Sequence, residues 1–491
     1  MDKETAHSSI ETEEQHHGNA INHSISRRKL LIKTDAIVLP LIVLTSTLAF
    51  LDKNGMAYAA VYGMRKDANL QGQQYSWLGS IFYFGYLTME FPTIWLLTKV
   101  PLGSYIGAIL FAWGGCLCCM AACHNFAGLA TVRFLLGVFE AGILPALLLV
   151  NSLWYTKKEQ PLRTALWYNT FAGIFGGILS FAIGKIDGSL STWKYIFLIY
   201  GSVTMAAGII VFFALPNDPE HAWFFTKEEK YLARMRVIEN RASRHEKVCM
   251  YAKAYDIQIK ARWKSAQIKE AVSDPKYWCV AIFVVAQSIT NAGITNFNPL
   301  IIAGYGFSQS KTTLMATPQA AVAFVAQVIC TAFAYYVPNI RCVLWTLSSL
   351  PALAGAVMIH VLNTGSERDA SLAGVYLMGF YNVPWVLMLS LQSSNTTGAT
   401  KKSFVSVSVA VFYAVGNIIG PQFFRTSQAP TYGLGIGAML CCFAIMTVTG
   451  ALYGRDQLYG RPQNHPVDFD GGAPVDDTTD FQSERTFRYV Y

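Results

Sequence analysis

AIVLPLIVLTSTLAFLDKNGMA, residues 36–57, is an apolar run with a charged dipeptide, Asp52-Lys53, set near its end. A helix needs about 20 apolar residues to cross a bilayer, and this run has that length. Five more runs of the same kind follow at roughly 75–97, 103–123, 127–152, 164–184 and 194–215. Residues 216–275 then turn polar and basic, and six further apolar runs occupy roughly 276–298, 312–336, 342–362, 371–393, 403–424 and 432–453. Six spans, a long polar loop and six spans is the hydropathy pattern of two parallel six-helix halves around a central path. The expected fold class is therefore an all-α membrane protein with twelve transmembrane helices. It divides into a polar, disordered tail over 1–35, a first half over 36–215, a central loop over 216–275, a second half over 276–453 and a tail over 454–491.

Composition agrees. Of 491 residues 53% are hydrophobic and 14% charged, with mean hydropathy +0.32; soluble domains carry about 25% charged residues. The abundant aromatics exclude a disordered chain. The net charge of +8 is spread among short loops, which argues against a nucleic-acid partner. Orientation follows from the basic residues of those loops. Lys99, Lys157, Lys158, Arg163, Arg341, Lys401, Lys402 and the central loop share one side with both termini, which places the termini in the cytosol. Cys116, Cys118 and Cys119 lie in an apolar run that holds no His, Asp or Glu to complete a ligand set, so they read as packing residues. No metal or cofactor is expected. No hydrolytic triad or phosphate loop marks an enzyme.

Ionisable side chains at bilayer depth are costly and mark pathways. The first half has five: Asp52, Lys53, Glu90, Arg133 and Glu140. The second half offers neutral polar residues instead: Gln287, Asn291, Asn296, Gln319, Gln327, Asn382, Asn395 and Asn417. Arg133 and Glu140 are seven residues apart, so they share a helix face and are separated by about 10 Å along the axis. Asp52 and Lys53 point about 100° apart. Such a set can hold an organic anion through its cations while its carboxylates carry protons. The competing reading is structural: an Asp52–Lys53 or Asp52–Arg133 salt bridge that only fixes packing. Glu90, beside Phe91-Pro92, reads as an interface or gating residue. Three GxxxG pairs, Gly173/Gly177, Gly416/Gly420 and Gly433/Gly437, mark expected close helix approaches; the first two occupy equivalent places in the halves, which fits a moving interface and simple static packing equally.

These residues lie in familiar company. FLDKNGMAYAAVYGMRKD (50–67), QQYSWLGSIFYFGYL (73–87), RFLLGVFEAGILP (133–145), NAGITNFNPLIIAGYGFS (291–308), GNIIGPQ (416–422) and FRYVY (487–491) resemble the anion:cation symporter family of the major facilitator superfamily, within it the fungal allantoate-permease group. The resemblance implies a major facilitator fold and proton-coupled uptake, at the plasma membrane, of a small organic anion such as a carboxylate vitamin, a ureide or a small peptide. It also implies that the acidic-basic pair Asp52-Lys53 and the Arg133/Glu140 pair carry coupling and binding. On this reading Arg133 and Lys53 contact substrate, and Asp52 and Glu140 take the proton; the amides Gln287, Asn291, Asn382 and Asn395 read first as helix-packing residues and second as substrate-binding residues that shape selectivity. Tyr58 and Trp385 read first as packing residues and second as selectivity residues. The partners are the organic anion, protons and the lipid bilayer, with the protein acting as a monomer. Two other readings stand beside it: an exporter of a secondary metabolite, separated by the direction of flux under an inward proton gradient, and a transport-incompetent nutrient sensor, which longer tails would favour.

Overall fold

The computed structural model describes residues 27–459 apart from 98, 157–158, 168–171, 243–263, 338 and 363–366. The described residues are nearly all helical, and ten helical stretches are long and apolar enough to cross a membrane. Helices Gln74–Leu96 and Ala172–Ile183 occupy the places of the second and fifth spans and complete the twelve. We call the end of the bundle at which the odd-numbered spans begin the near end, and the opposite end the far end.

Several boundaries differ from those read in the sequence. The first helix begins at Arg27 and runs to Val61, so residues 27–35 extend the span rather than belong to the tail. Charged residues on this extension find partners: Lys33 pairs with Glu229 at 2.6 Å and Asp35 with Arg163 at 2.7 Å. Among its described residues the polar central stretch holds two α-helices, Lys227–Ala242 and Ser265–Ser273. The last helix continues through Tyr459, while the C-terminal FRYVY lies outside the described residues.

The central stretch is divided between the halves. Its first part packs on the first half through the Lys33–Glu229 pair and the stacking of Trp154 on Phe224, centroids 5.9 Å apart. Its second part is bound to the eleventh span, where the Gln267 side chain accepts the backbone N–H groups of Thr400 and Lys401. Lys401, 2% exposed, pairs with Glu270 at 2.8 Å and approaches Asp274 at 3.8 Å. The eleventh helix starts at Ala399, so a lysine read as a loop residue is in fact buried at a helix start. Asp274 also caps the seventh span, accepting Lys276 N–H, with Pro275 in the first turn where its missing N–H costs nothing. The two halves thus share a device: an acid in the near-end part of the first helix, or at its cap, faces a cation at the start of the fifth, Asp35–Arg163 and Asp274–Lys401.

The fourth helices of the two halves are both interrupted. The fourth span breaks after Glu140, between Phe126–Glu140 and Ile143–Trp154. The tenth changes to a 3-10 turn over Met378–Tyr381 before Asn382–Asn395. Irregular backbone inside a membrane bundle occurs where it is covered by protein or lines a cavity, and both interruptions adjoin polar residues singled out in the sequence.

The glycine pairs divide three ways. Gly173 and Gly177 face Ala320, Thr313 and Thr317 of the eighth span, a close approach between the halves. Gly416 and Gly420 instead face Val285, Ser288, Ile289 and Ala292 of the seventh span, inside one half. Gly433 and Gly437 face open space, with nothing within 4 Å of an added Cβ. Only the first pair therefore sits where the halves meet.

Hydrogen bonds between the halves gather at the far end. Tyr75 donates to the Asn296 carbonyl at 2.8 Å, Ser76 to the Phe424 carbonyl at 3.1 Å and Ser80 to the Ile418 carbonyl at 2.6 Å. Arg65 reaches the Tyr432 hydroxyl at 3.2 Å and the Thr426 hydroxyl at 3.4 Å. Arg65 lies in the short helix Met64–Asp67. Hydrogen bonds from Ser191 and Trp193 hold the Asp67 carboxyl below the usual carboxylate range and anchor that turn. The far end is thus fastened by neutral donors on backbone carbonyls and by one arginine on hydroxyls.

Candidate functional site

Four of the five charged residues singled out in the first half, Asp52, Lys53, Arg133 and Glu140, converge between the first, third and fourth spans. Lys53 Nζ lies 2.7 Å from Glu140 Oε1. Asp52 accepts the indole N–H of Trp113, in the third span, at 2.8 Å. Asp52 is 1% exposed, Arg133 4% and Glu140 4%, whereas the Lys53 side chain is 32% exposed. The two neighbours Asp52 and Lys53 thus turn to different helices, as a step of about 100° requires.

Neither packing salt bridge considered from the sequence forms: among the described residues Asp52 closes on neither Lys53 nor Arg133. The reason is reach. The flexible four-carbon stem of Lys53 carries its ammonium across to the fourth span. Trp113 supplies Asp52 with its donor. Arg133 stays within electrostatic range of Asp52, and Asp52 of Glu140.

Arg133 is therefore the unusual member. Its Nε and Nη2 are buried and have no hydrogen-bond partner among the described residues. A buried guanidinium with unmet donors is costly, and its planar fork matches a carboxylate. One oxygen of Asp52 (Oδ1) and one of Glu140 (Oε2) are likewise enclosed without donors among the described residues. The cluster holds two cations, two carboxylates and spare hydrogen-bonding capacity on three of the four.

The second half contributes amides and rings. Asn291 donates to Asn417 at 2.9 Å and accepts from Tyr381 at 3.3 Å, tying the seventh, eleventh and tenth spans. Asn382 donates to Gln327 at 3.2 Å, and Asn298 to Gln319 at 2.6 Å. Asn291 and Asn382 are thus engaged in interhelical bonds. Gln287 is buried with its Oε1 unpartnered. Asn395 is buried and donates to Tyr453, in a small near-end pocket lined also by Asp274 and Lys401. Tyr58 is 4% exposed and packs beside Gly176. Trp385 lies against Tyr413, centroids 5.6 Å apart, and Tyr413 meets Tyr83 of the second span at 6.0 Å. That last contact joins the halves next to the charge cluster, because Lys53 senses both Tyr413 and Tyr86. Trp113 and Tyr413 were not singled out in the sequence: an indole or a phenol inside an apolar run looks like packing until its partner is known.

A bundle of two six-helix halves, with buried charge gathered inside the first of them, has the architecture of a membrane carrier. Residues 42–421 match the family model of the Major Facilitator Superfamily, and the chain belongs to that superfamily. It is 36% identical over 425 residues to an uncharacterized transporter of Schizosaccharomyces pombe, covering 85% of this chain and 77% of that one. It is 32% identical over 416 residues to the thiamine pathway transporter THI73 of Saccharomyces cerevisiae (84% and 76% covered). With the allantoate permease of the same yeast it shares 29% identity over 485 residues (94% and 86% covered). Among solved structures, a bacterial homologue of the human lysosomal transporter Spinster superposes with a TM-score of 0.60 at 14% identity, over 85% of this chain and 95% of that one. The D-xylose–proton symporter superposes with a TM-score of 0.59 at 12% identity, over 84% and 96%. These likenesses establish the all-α fold of the superfamily, embedding in a membrane, and transport of a small molecule by the allantoate permease-like group of fungal carriers.

Proposed function

We propose that the protein is a proton-coupled symporter that imports a small organic anion across the plasma membrane, with both termini in the cytosol. The observation that carries this reading is the buried Arg133 guanidinium with Nε and Nη2 unpartnered, set beside the Lys53–Glu140 pair and Asp52. Arg133 binds the carboxylate of the substrate. Glu140 and Asp52 exchange the proton. A protonated Glu140 loses its attraction for Lys53, which frees the ammonium to assist the anion; when the proton leaves, the ion pair closes again and the anion is released. Binding of proton and anion therefore support each other, as symport requires. The near end is the cytosolic one on this reading, and the hydrogen bonds from Tyr75, Ser76, Ser80 and Arg65 are a closed outer gate. The likeness to allantoate permease supports a carboxylate-bearing substrate.

The test is an uptake screen in a transport-deficient host with labelled nicotinate, pantothenate, allantoate and dipeptides, with and without a protonophore. At least one compound is expected to accumulate, and the protonophore to abolish its accumulation. Accumulation of none, or accumulation that the protonophore leaves intact, contradicts the proposal.

A further inference from the structure

The second span carries a polar stripe that the mechanism above does not use. Tyr83, Tyr86 and Glu90 are spaced i, i+3 and i+7, so they share one face of the helix Gln74–Leu96. From Tyr83 to Glu90 the stripe runs about 10 Å toward the near end. Its upper end meets the charge cluster: Tyr86 senses Lys53 and Glu140, and Tyr83 senses Glu140, Tyr381 and Tyr413. Its lower end is the Glu90 carboxyl, four residues on from Tyr86 and so beside that phenol on the helix face. One of its oxygens, Glu90 Oε2, is enclosed with no donor among the described residues.

The two glutamates are therefore in contrasting settings. Glu140 has an ammonium at 2.7 Å. Glu90 has a phenol, and no cation lies within ion-pair distance of it among the described residues. The groups facing Tyr86, which links them, are Lys53 from the first span, Glu140 from the fourth, Tyr413 from the eleventh and Glu90 itself. Like the Lys53–Glu140 pair, this stripe lies on the near side of the far-end fastening. A carboxyl inside a membrane bundle without a counter-ion is a position for a proton, because the neutral acid satisfies its second oxygen through its own O–H.

We propose that Glu90 is a second protonation site, lying between the Lys53–Glu140 pair and the near end, and that Tyr86 positions it. The assignment rests on the proton-coupled reading above and adds the route by which the proton departs. The proton leaves Glu140 as its ion pair with Lys53 closes, is held on Glu90, and passes to water at the near end. No bond other than O–H is made or broken, and charge is conserved, since Glu140 becomes an anion as Glu90 becomes neutral.

The experiment is pH-difference infrared spectroscopy on the purified full-length protein in lipid, between about pH 5 and about pH 8, reading the carboxyl C=O bands. It needs no substrate; the probe is the proton. The parent is expected to show a protonation band that Glu90→Gln removes and Tyr86→Phe displaces, because the polar hydroxyl beside the carboxyl is lost. Glu140→Gln should remove a different band and leave this one. Retention of every parent band in Glu90→Gln overturns the proposal, as does a Glu90 band that Tyr86→Phe leaves in place. Failure of the underlying reading shows separately, as a Glu140→Gln spectrum identical to the parent. Both test substitutions preserve side-chain shape; should Glu90→Gln fail to fold, Tyr86→Phe alone decides, since an unmoved spectrum removes the positioning role.

Discussion

Replacing Arg133 by alanine is expected to weaken anion binding by at least about tenfold while the protein still reaches the membrane. The argument begins with burial. Arg133 is 4% exposed, and its Nε and Nη2 have no acceptor among the described residues. If a carboxylate occupies that fork, the bond is charge-assisted and dry. Truncating one partner of such a pair costs about 2–5 kcal/mol, and about 1.4 kcal/mol corresponds to a factor of ten. Arg133→Lys should recover only part of the loss, because a single ammonium cannot reproduce the two-point geometry. Affinities measured with whichever screened carboxylate is transported check both variants. Parent-like affinity in a well-expressed Arg133→Ala protein would return Arg133 to a purely structural role.

The second large effect separates coupling from binding. Asp52→Asn and Glu140→Gln keep the volume and some hydrogen bonding of each side chain but fix it in a proton-bound-like state. Both are expected to abolish uphill accumulation driven by a proton gradient. At least one should still exchange external for internal substrate, because exchange does not require the proton to leave. Glu140→Gln is the better candidate to retain exchange. It releases Lys53 from its 2.7 Å ion pair, whereas Asp52→Asn alters the bond to Trp113 and introduces a second donor near that indole. The paired measurement is gradient-driven uptake and counterflow on the same reconstituted protein. If both variants accumulate substrate like the parent, the coupling sites lie elsewhere.

Much of this arrangement can be read from the chain before any coordinates. Hydropathy locates the spans because the bilayer imposes a length on each. The expense of charge in lipid picks out Asp52, Lys53, Arg133 and Glu140 from a sequence that is otherwise apolar. What the chain does not display is which of these groups meet. Seven residues of spacing put Arg133 and Glu140 on one face, yet the partner of Glu140 is Lys53 from another helix. That pairing depends on the rotation of the first span against the fourth, which packing of many neutral residues sets. Trp113 was illegible for the same reason: an indole in an apolar run carries no mark that its N–H finds a carboxylate. Lys401 was hidden by a boundary. Hydropathy starts the eleventh span after the lysines, whereas the helix starts at Ala399 and buries the first of them against Glu270. The glycine pairs show the limit of a local motif, since one of three opens on nothing.

Proton movement itself is the most direct test of the account. Purified protein is reconstituted into lightly buffered vesicles with no imposed gradient, and a carboxylate identified by the uptake screen is added outside while external pH is recorded. The account predicts alkalinisation outside, as protons enter with the anion, which Glu140→Gln abolishes and a protonophore collapses. Substrate entry without any change of pH, or with acidification outside, would contradict it.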